Sequence, residues 1–383
     1  MTKSVRISVK PEIWDWALTE SERDERELLK RFPTAAKWFK QEQDPTFRQL
    51  ENMANFLRVP FGYLLLDTPP KNDAVAAEFR SISNKVPQMS KNLLDTILEM
   101  DRRRSWMGDY RRELGWSKLG IIEKFEQENI KDVVADARLA KALLGLEEDW
   151  YTKVRDLDHA FRFLRDKLEK AGVLVMRSGI VGTNTHRPLD INDFRAFLLY
   201  DDVAPLIFVN NNDSKAGKVF SLIHEYLHVL FEQEDIFLDP YLKTGSLETR
   251  INVLTAEVLM PREKIFTLWR AGTDVFAQIE SLSSIFKVSQ LAMSIKLNSL
   301  GLINQRIVET IKAKSVQHFE KKAREGEEIN FYTTYYSRVS MRFIESVIRS
   351  AESGDIAYTE AFSLLGIKGK TYDNIKAEVM PYG

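Results

Sequence analysis

No cysteine occurs among the 383 residues. That excludes disulfides, thiolate nucleophiles and thiolate-held metals, and leaves histidine and carboxylates as the available ligands. Histidine is itself scarce, with five in the chain, so any close pair of them calls for a reason. Charge of one sign does not dominate: 55 Lys and Arg face 56 Asp and Glu. No global field therefore marks a nucleic-acid coat or a membrane surface, although a local basic patch is compatible with this balance. No apolar run approaches the length of a membrane span, and the opening Met1-Thr-Lys-Ser-Val-Arg6 has no apolar signal core. A cytoplasmic protein with no membrane partner is expected. Internal repeats and low-complexity segments are missing as well. What is present is a chain long enough for two or three domains, each able to bury a core.

One stretch carries chemistry. Val219-Phe-Ser-Leu-Ile-His-Glu-Tyr-Leu-His-Val-Leu-Phe231 contains His224-Glu225-Tyr226-Leu227-His228, the HExxH pattern. On a helix, positions i and i+4 share a face, so both imidazoles can reach one Zn²⁺ while Glu225 lies near a metal-bound water. Val219, Phe220, Leu222, Ile223, Leu227, Val229, Leu230 and Phe231 give this helix an almost all-round apolar coat, which marks it as buried. Two imidazoles and a carboxylate buried there without partners would carry a large desolvation cost, which a bound zinc relieves. The pattern points to a metal hydrolase rather than to a chance match on a core helix.

A catalytic zinc usually takes three protein ligands and keeps one position for water. The metzincin continuation is absent, because Phe231 and Glu234 stand where it needs Gly and His. Residues 247–260 read as a second helix stopped by Pro261, with Ile251, Leu254, Val258 and Leu259 on its buried side and Glu248 just inside its start. Antiparallel helices joined through Asp239, Pro240 and Gly245 can set Glu248 opposite the histidine pair. Glu232, Glu234, Asp235, Asp239 and Glu257 compete for the same place.

The run Pro205-Leu-Ile-Phe-Val-Asn210, the segment Phe220 to His228, Glu248-x-x-x-Asn252 and Leu259-Met-Pro261 together resemble the ImmA/IrrE family of zinc metallopeptidases, whose members cleave transcriptional repressors. The resemblance implies zinc ligands at His224, His228 and Glu248, and Glu225 as the base that activates water. Asn252 matches the family's Asn one turn after the ligating Glu, where it can orient a ligand. Asn184-Thr-His-Arg-Pro-Leu-Asp190 and Asp193-Phe-Arg195 also look like family segments, while Tyr226-Leu227 replaces commoner small residues. Residues 170–300 are similar throughout and the flanks more loosely.

Residues 1–70 are expected to form a helical domain. Leu28, Leu29 and Phe32 end one helix before Pro33, a short helix follows through Ala36, Trp38 and Phe39, and Thr46 with Gln49 is a capping box for a helix whose apolar face is Leu50, Met53, Ala54 and Leu57. This segment, with Val59-Pro-Phe-Gly-Tyr-Leu-Leu-Leu66 and Pro69-Pro70, resembles the Xre-type helix-turn-helix that precedes many such peptidase domains. The short helix at 34–40 offers Lys37 and Lys40 beside Trp38 and Phe39, few groups for reading bases and phosphates. A protein-docking role is favoured over a DNA-binding one.

Residues 71–155 are expected to be a helical connector through Phe79-Arg80 and a long helix at 92–114. There Arg102, Arg103, Arg104, Arg111 and Arg112 alternate with Trp106 and Tyr110. Such a pattern can grip a phosphate backbone, but Asp95, Glu99, Asp101, Asp109 and Glu113 at helical spacing favour ion pairing within the protein. Residues 156–303 are assigned to the metallopeptidase domain. Short apolar runs at 172–176, 197–200 and 206–209 read as a small sheet, one edge of which can accept an extended peptide as an added strand. His186 falls in a loop between them, and 286–301 has a helix-turn-helix-like pattern with Val288 in the turn and Gly301 as the stop. Residues 304–383 alternate charged helices with an aromatic stretch from Asn330 to Tyr336 and carry no chemical motif.

The expected fold is α+β and mainly helical: a zincin-like domain with a small sheet behind a helix-turn-helix-like domain. The expected activity is zinc-dependent cleavage of a protein substrate, a repressor or antitoxin-like regulator. The alternative is a DNA-binding regulator whose zinc fold is structural or vestigial. Glu225 separates the two, because a structural site has no use for an unligated carboxylate.

Overall fold

The chain opens with four helices whose ends are written in the sequence. α1 (Pro11–Ser21), α2 (Glu25–Arg31), α3 (Ala35–Phe39) and α4 (Phe47–Leu57) bury Ile13, Trp14, Leu28, Trp38, Leu50, Met53 and Leu57 in one core. The capping box at α4 is formed as expected: Thr46 donates its amide to Gln49 Oε1 at 2.9 Å, and Gln49 returns its amide to Thr46 Oγ1 at 3.3 Å. α3 has only five residues, of which Ala35 and Trp38 are buried and Lys37 exposed. The computed structural model describes residues 6–21, 25–57, 59, 61–69, 90–233, 235–237, 246–322 and 331–380. The connector at Phe79 and Arg80, Glu234, the loop through Asp239, Pro240 and Gly245, and Asn330 lie outside the described residues.

Contacts divide the chain into residues 1–94 and 95–383. The long helix α5 (Lys91–Glu113) is followed by α6 (Gly120–Glu128), α7 (Val133–Leu143) and α8 (Leu157–Lys170). Then come β1 (Leu174–Ser178), β2 (Ala196–Leu199), β3 (Leu206–Asn210), α9 (Lys215–Leu230), β4 (Asp235–Phe237) and α10 (Ser246–Leu259). Among the described residues that follow, the elements are all helices: α11 (Arg262–Leu268), α12 (Val275–Phe286), α13 (Gln290–Ser299), α14 (Gln305–Lys322), α15 (Phe331–Arg338), α16 (Met341–Glu352), α17 (Tyr358–Leu365) and α18 (Gly369–Val379). The fold is therefore α+β and mainly helical. No helix among the described residues is long and apolar enough to cross a membrane.

The sheet runs β1-β3-β2-β4, with β1 parallel to β3 and β2 antiparallel to both of its neighbours. Three strands were expected, and β4 is an addition that three residues could not announce by periodicity. Strand residues alternate between faces. Val173, Val175, Ala196, Leu198, Ile207 and Val209 join the large core that holds α8 and α9. Leu174, Met176, Phe197, Leu199, Leu206 and Phe208 are equally buried, and Arg103 of α5 reaches Met176 Sδ at 3.5 Å.

The arginines of α5 pair within the protein. Arg111 donates to the carbonyls of Gly172 at 2.6 Å and Val203 at 2.7 Å, Arg104 pairs with Asp101 and Asp201, and Arg112 pairs with Asp201 and Asp202. Burial pushes the Arg111 guanidinium down to about 10. Trp106 meets Phe343 of α16 edge-on, and Arg102 bonds Ser363 of α17. Arg165 of α8 donates to the carbonyls of Tyr336, Ser337 and Val339, so the C-terminal helices are tied onto the same unit. Between α12 and α13, Lys287 takes a left-handed conformation (φ 59°) and Ser289 caps α13, a helix-turn-helix pattern packed into the large core through Phe286 and Met293.

Candidate metal centre

α9 is started by a polar knot and then held by its neighbours. Ser214 caps it by accepting the Gly217 amide at 2.9 Å, and Asp213 accepts the Ser214 amide and the Arg195 guanidinium, the latter at 2.8 Å. Buried Asn210 donates to the Phe194 carbonyl at 3.1 Å and accepts the Asn212 amide at 3.1 Å. A side chain at position 217 would have no room, since its Cβ would sit 2.4 Å from Asp213 Oδ2. These partners tie Asn210, the Phe194 carbonyl and Arg195 to the start of the helix.

From Val219 to Leu230 only Phe220 escapes full burial. Tyr226 is completely buried and donates its hydroxyl to the Ala140 carbonyl at 2.9 Å. Ala140 belongs to the last turn of α7, where carbonyls lack helical partners, so the phenol satisfies an orphan acceptor. α10 is tied to the same helix, because Arg250 donates to buried Asp136 of α7 at 2.6 Å and lies over the Phe231 ring. Neither tether was evident from the sequence. The only hint was a tyrosine where a small residue is commoner.

These constraints bring His224, His228 and Glu248 together. The two Nε2 atoms are 3.1 Å apart, His224 Nε2 lies 3.0 Å from Glu248 Oε1, and His228 Nε2 lies 3.2 Å from Glu248 Oε2. His224 is fully buried, His228 nearly so, and Glu225 is also fully buried. Burial drives His224 down to about 4 against the opposing hydrogen bond to Glu248, with smaller effects from His228 downward and Asn252 upward. Burial pushes Glu248 upward, but hydrogen bonds from both histidines outweigh it and hold the carboxyl well below its ordinary value.

The group could hold a metal ion. Tetrahedral coordination with bonds of about 2.1 Å separates ligand atoms by about 3.4 Å, so a shift of a few tenths of an ångström would seat one among these donors. Two neutral imidazoles and a carboxylate are also the donor chemistry that zinc takes at catalytic sites.

Two of the competing carboxylates are engaged elsewhere. Glu232 accepts from Lys118 and Tyr200, and Glu257 accepts from Lys296 and Arg262. Asp235 belongs to β4, while Glu234 and Asp239 lie outside the described residues. Asn252 follows Glu248 by one turn of α10, with its Oδ1 buried. His186 is exposed, its amide bonded to Asn184 Oδ1 in a turn.

Residues 168–298, from the end of α8 to α13, match the peptidase family M78 model described as IrrE N-terminal-like domain. Residues 339–378 match a domain of unknown function (DUF8813), which here comprises α16, α17 and α18. No curated protein and no solved structure matches the chain.

Proposed function

We propose that this protein is a zinc-dependent endopeptidase whose ion is held by His224, His228 and Glu248 and whose substrate is another protein, a transcriptional repressor or antitoxin-like regulator. The observation that supports it best is the convergence of both Nε2 atoms and the Glu248 carboxylate within 3.0–3.2 Å of one another in an apolar core, inside the segment that matches a peptidase family. When bound, zinc supplies Lewis acidity toward the scissile carbonyl and a water acidic enough to ionise near neutral pH. Glu225 adjoins the first ligand without belonging to the converging set, and its carboxylate takes the proton of the attacking water and returns it to the leaving amine. The apolar coat of α9 excludes bulk water from these groups and strengthens their electrostatics. Selection among cellular proteins falls to a docking surface, for which the helical segment of residues 1–70 is the candidate.

Elemental analysis of purified variants tests the ligand set. His224→Ala and His228→Ala should lose the metal, Glu248→Ala should weaken its binding, and Glu225→Gln should keep it while abolishing cleavage. Full metal content in both histidine variants would end the zinc assignment. Glu225→Gln should also retain one predominant protein on purification from its native cells, and deleting residues 1–70 should weaken that association without changing metal content. Retention of specific DNA and no protein, with no cleavage by the unaltered enzyme, would favour the regulator reading instead.

A further inference from the structure

An extended peptide brought to a sheet needs a strand with free backbone groups, and the sheet edge next to the candidate metal centre is already taken. β4 lies antiparallel on the outer side of β2, with Ala196 opposite Phe237, Phe197 opposite Ile236 and Leu198 opposite Asp235. At the other end of the sheet β1 packs against α15, so the β2 edge is the one that adjoins α9.

α9 delivers β4 to this place. The helix ends at Leu230, Glu232 turns the chain in a left-handed conformation (φ 56°), and the Gln233 amide donates to the His228 carbonyl at 3.2 Å. β4 starts at Asp235, two residues on, and two residues of chain span at most about 7 Å. The strand thus begins beside the backbone of a histidine in the metal group. The turn itself is anchored, because Glu232 accepts the hydroxyl of Tyr200, the residue after β2, at 3.0 Å and the Lys118 ammonium at 2.6 Å. Past this anchor the chain lies on β2 through a ladder of three residue pairs, at the short limit for a strand. Backbone pairing of this kind does not depend on sequence, so any extended segment can replace it.

We infer that β4 is a resident stand-in for substrate: the outer edge of β2 is the strand on which an extended segment of the protein substrate lies, antiparallel and beside the metal centre, and residues 235–237 must leave it first. The inference rests on the peptidase reading for its purpose but on sheet geometry for its place. It makes the protein, as folded here, self-blocked. A substrate must compete with a tethered three-residue strand, which favours partners held nearby by a second contact and disfavours stray unfolded chains.

The test uses full-length, zinc-loaded protein and a mixture of unstructured octapeptides at millimolar concentration as the probe. The Asn210 amide donates to the Arg195 carbonyl opposite it, so on β2 it is Ala196 and Leu198 whose backbone faces β4. Phe237→Pro therefore removes a ladder amide opposite Ala196, and a triple glycine substitution at 235–237 weakens the ladder by a different route. Two readouts are taken: hydrolysis of the peptides with Glu225 present, and amide hydrogen exchange at residues 196–199 in the Glu225→Gln background. Both ladder variants should raise kcat/KM at least tenfold over the unaltered enzyme and speed exchange at 196–199, and peptide should slow that exchange again. Equal hydrolysis by the unaltered enzyme and both variants overturns the inference. So does hydrolysis with exchange at 196–199 unmoved by peptide. Protection of 196–199 by peptide with no hydrolysis in any form would instead remove the peptidase reading and leave the strand site standing, whereas neither hydrolysis nor protection sinks both.

Discussion

Replacing Glu257 by Gln strands a cation in the core. Glu257 lies on α10 and is 3 % exposed, and its Oε2 accepts the Lys296 ammonium of α13 at 2.5 Å, itself 6 % exposed. The Arg262 amide donates to Oε1 at 2.9 Å. Burial pushes the Glu257 carboxyl up, but Lys296 and the Arg262 amide outweigh it and leave the group below its ordinary value. Burial also lowers Lys296, which Glu257 only partly offsets. In Glu257→Gln the amide carbonyl can still accept from Arg262 but offers no charge to Lys296. Removing one member of a buried pair costs about 3–5 kcal/mol. An independent ceiling exists, since Lys296 can enter the fold neutral, and deprotonating a lysine about 3.5 units below its ordinary pKa costs about 5 kcal/mol.

The same route fixes the pH dependence. A lysine depressed in the folded state binds more protons when unfolded, so stability rises with pH until the unfolded lysine also loses its proton. The deficit of Glu257→Gln should be largest at and below pH 7 and shrink by up to about 3 kcal/mol at about pH 9.5. Urea titration of chelator-treated protein, read by hydrogen exchange in α10 and α13 peptides, measures it for the unit that contains the pair. Lys296→Met should cost less, because Arg262 continues to serve Glu257. A loss under about 1 kcal/mol at pH 7, or a deficit that ignores pH, would refute the claim that this pair is charged and buried.

Tyr226→Phe should leave the Ala140 carbonyl without its donor and cost about 1–3 kcal/mol in the same titration while metal content stays unchanged; loss of metal would mean that the phenol also sets ligand geometry. Thr46→Ala should cost about 1 kcal/mol by removing half of the α4 capping box, seen as earlier urea unfolding of residues 6–57 with the 95–383 unit unaffected. Gly217→Ala should destabilise the protein by about 1–3 kcal/mol, because Asp213 is pinned by Arg195 and cannot yield; an unchanged midpoint would show that the knot at the start of α9 is soft.

The sequence was informative wherever one local rule acted alone. The Thr46 and Gln49 pair marked a helix start, the runs around Val175, Leu198 and Phe208 marked strands, and the histidine spacing with a Pro261-stopped helix brought Glu248 forward as a third donor. It was silent where a contact joins distant elements through a single atom. Nothing local announces that Tyr226 reaches Ala140, that Arg250 reaches Asp136, or that Glu257 belongs to Lys296 rather than to a metal. β4 escaped because three residues are too few for alternation to register. Two arginines of α5 could be read from acids at helical spacing, Arg103 with Glu99 and Arg104 with Asp101, whereas Arg102, Arg111 and Arg112 reach Ser363, two loop carbonyls and Asp201 with Asp202, which no periodicity selects.

Helix α7 supplies no donor to the metal group, yet both helices that do are fastened to it, α9 through Tyr226 and α10 through Arg250. It works as a splint. The distance between the histidine pair and Glu248 is thus constrained by a third body, in addition to anything an ion would impose. Ion uptake should then bury little new surface, and calorimetric titration should give a binding enthalpy almost independent of temperature, unlike small zinc domains that fold around their metal.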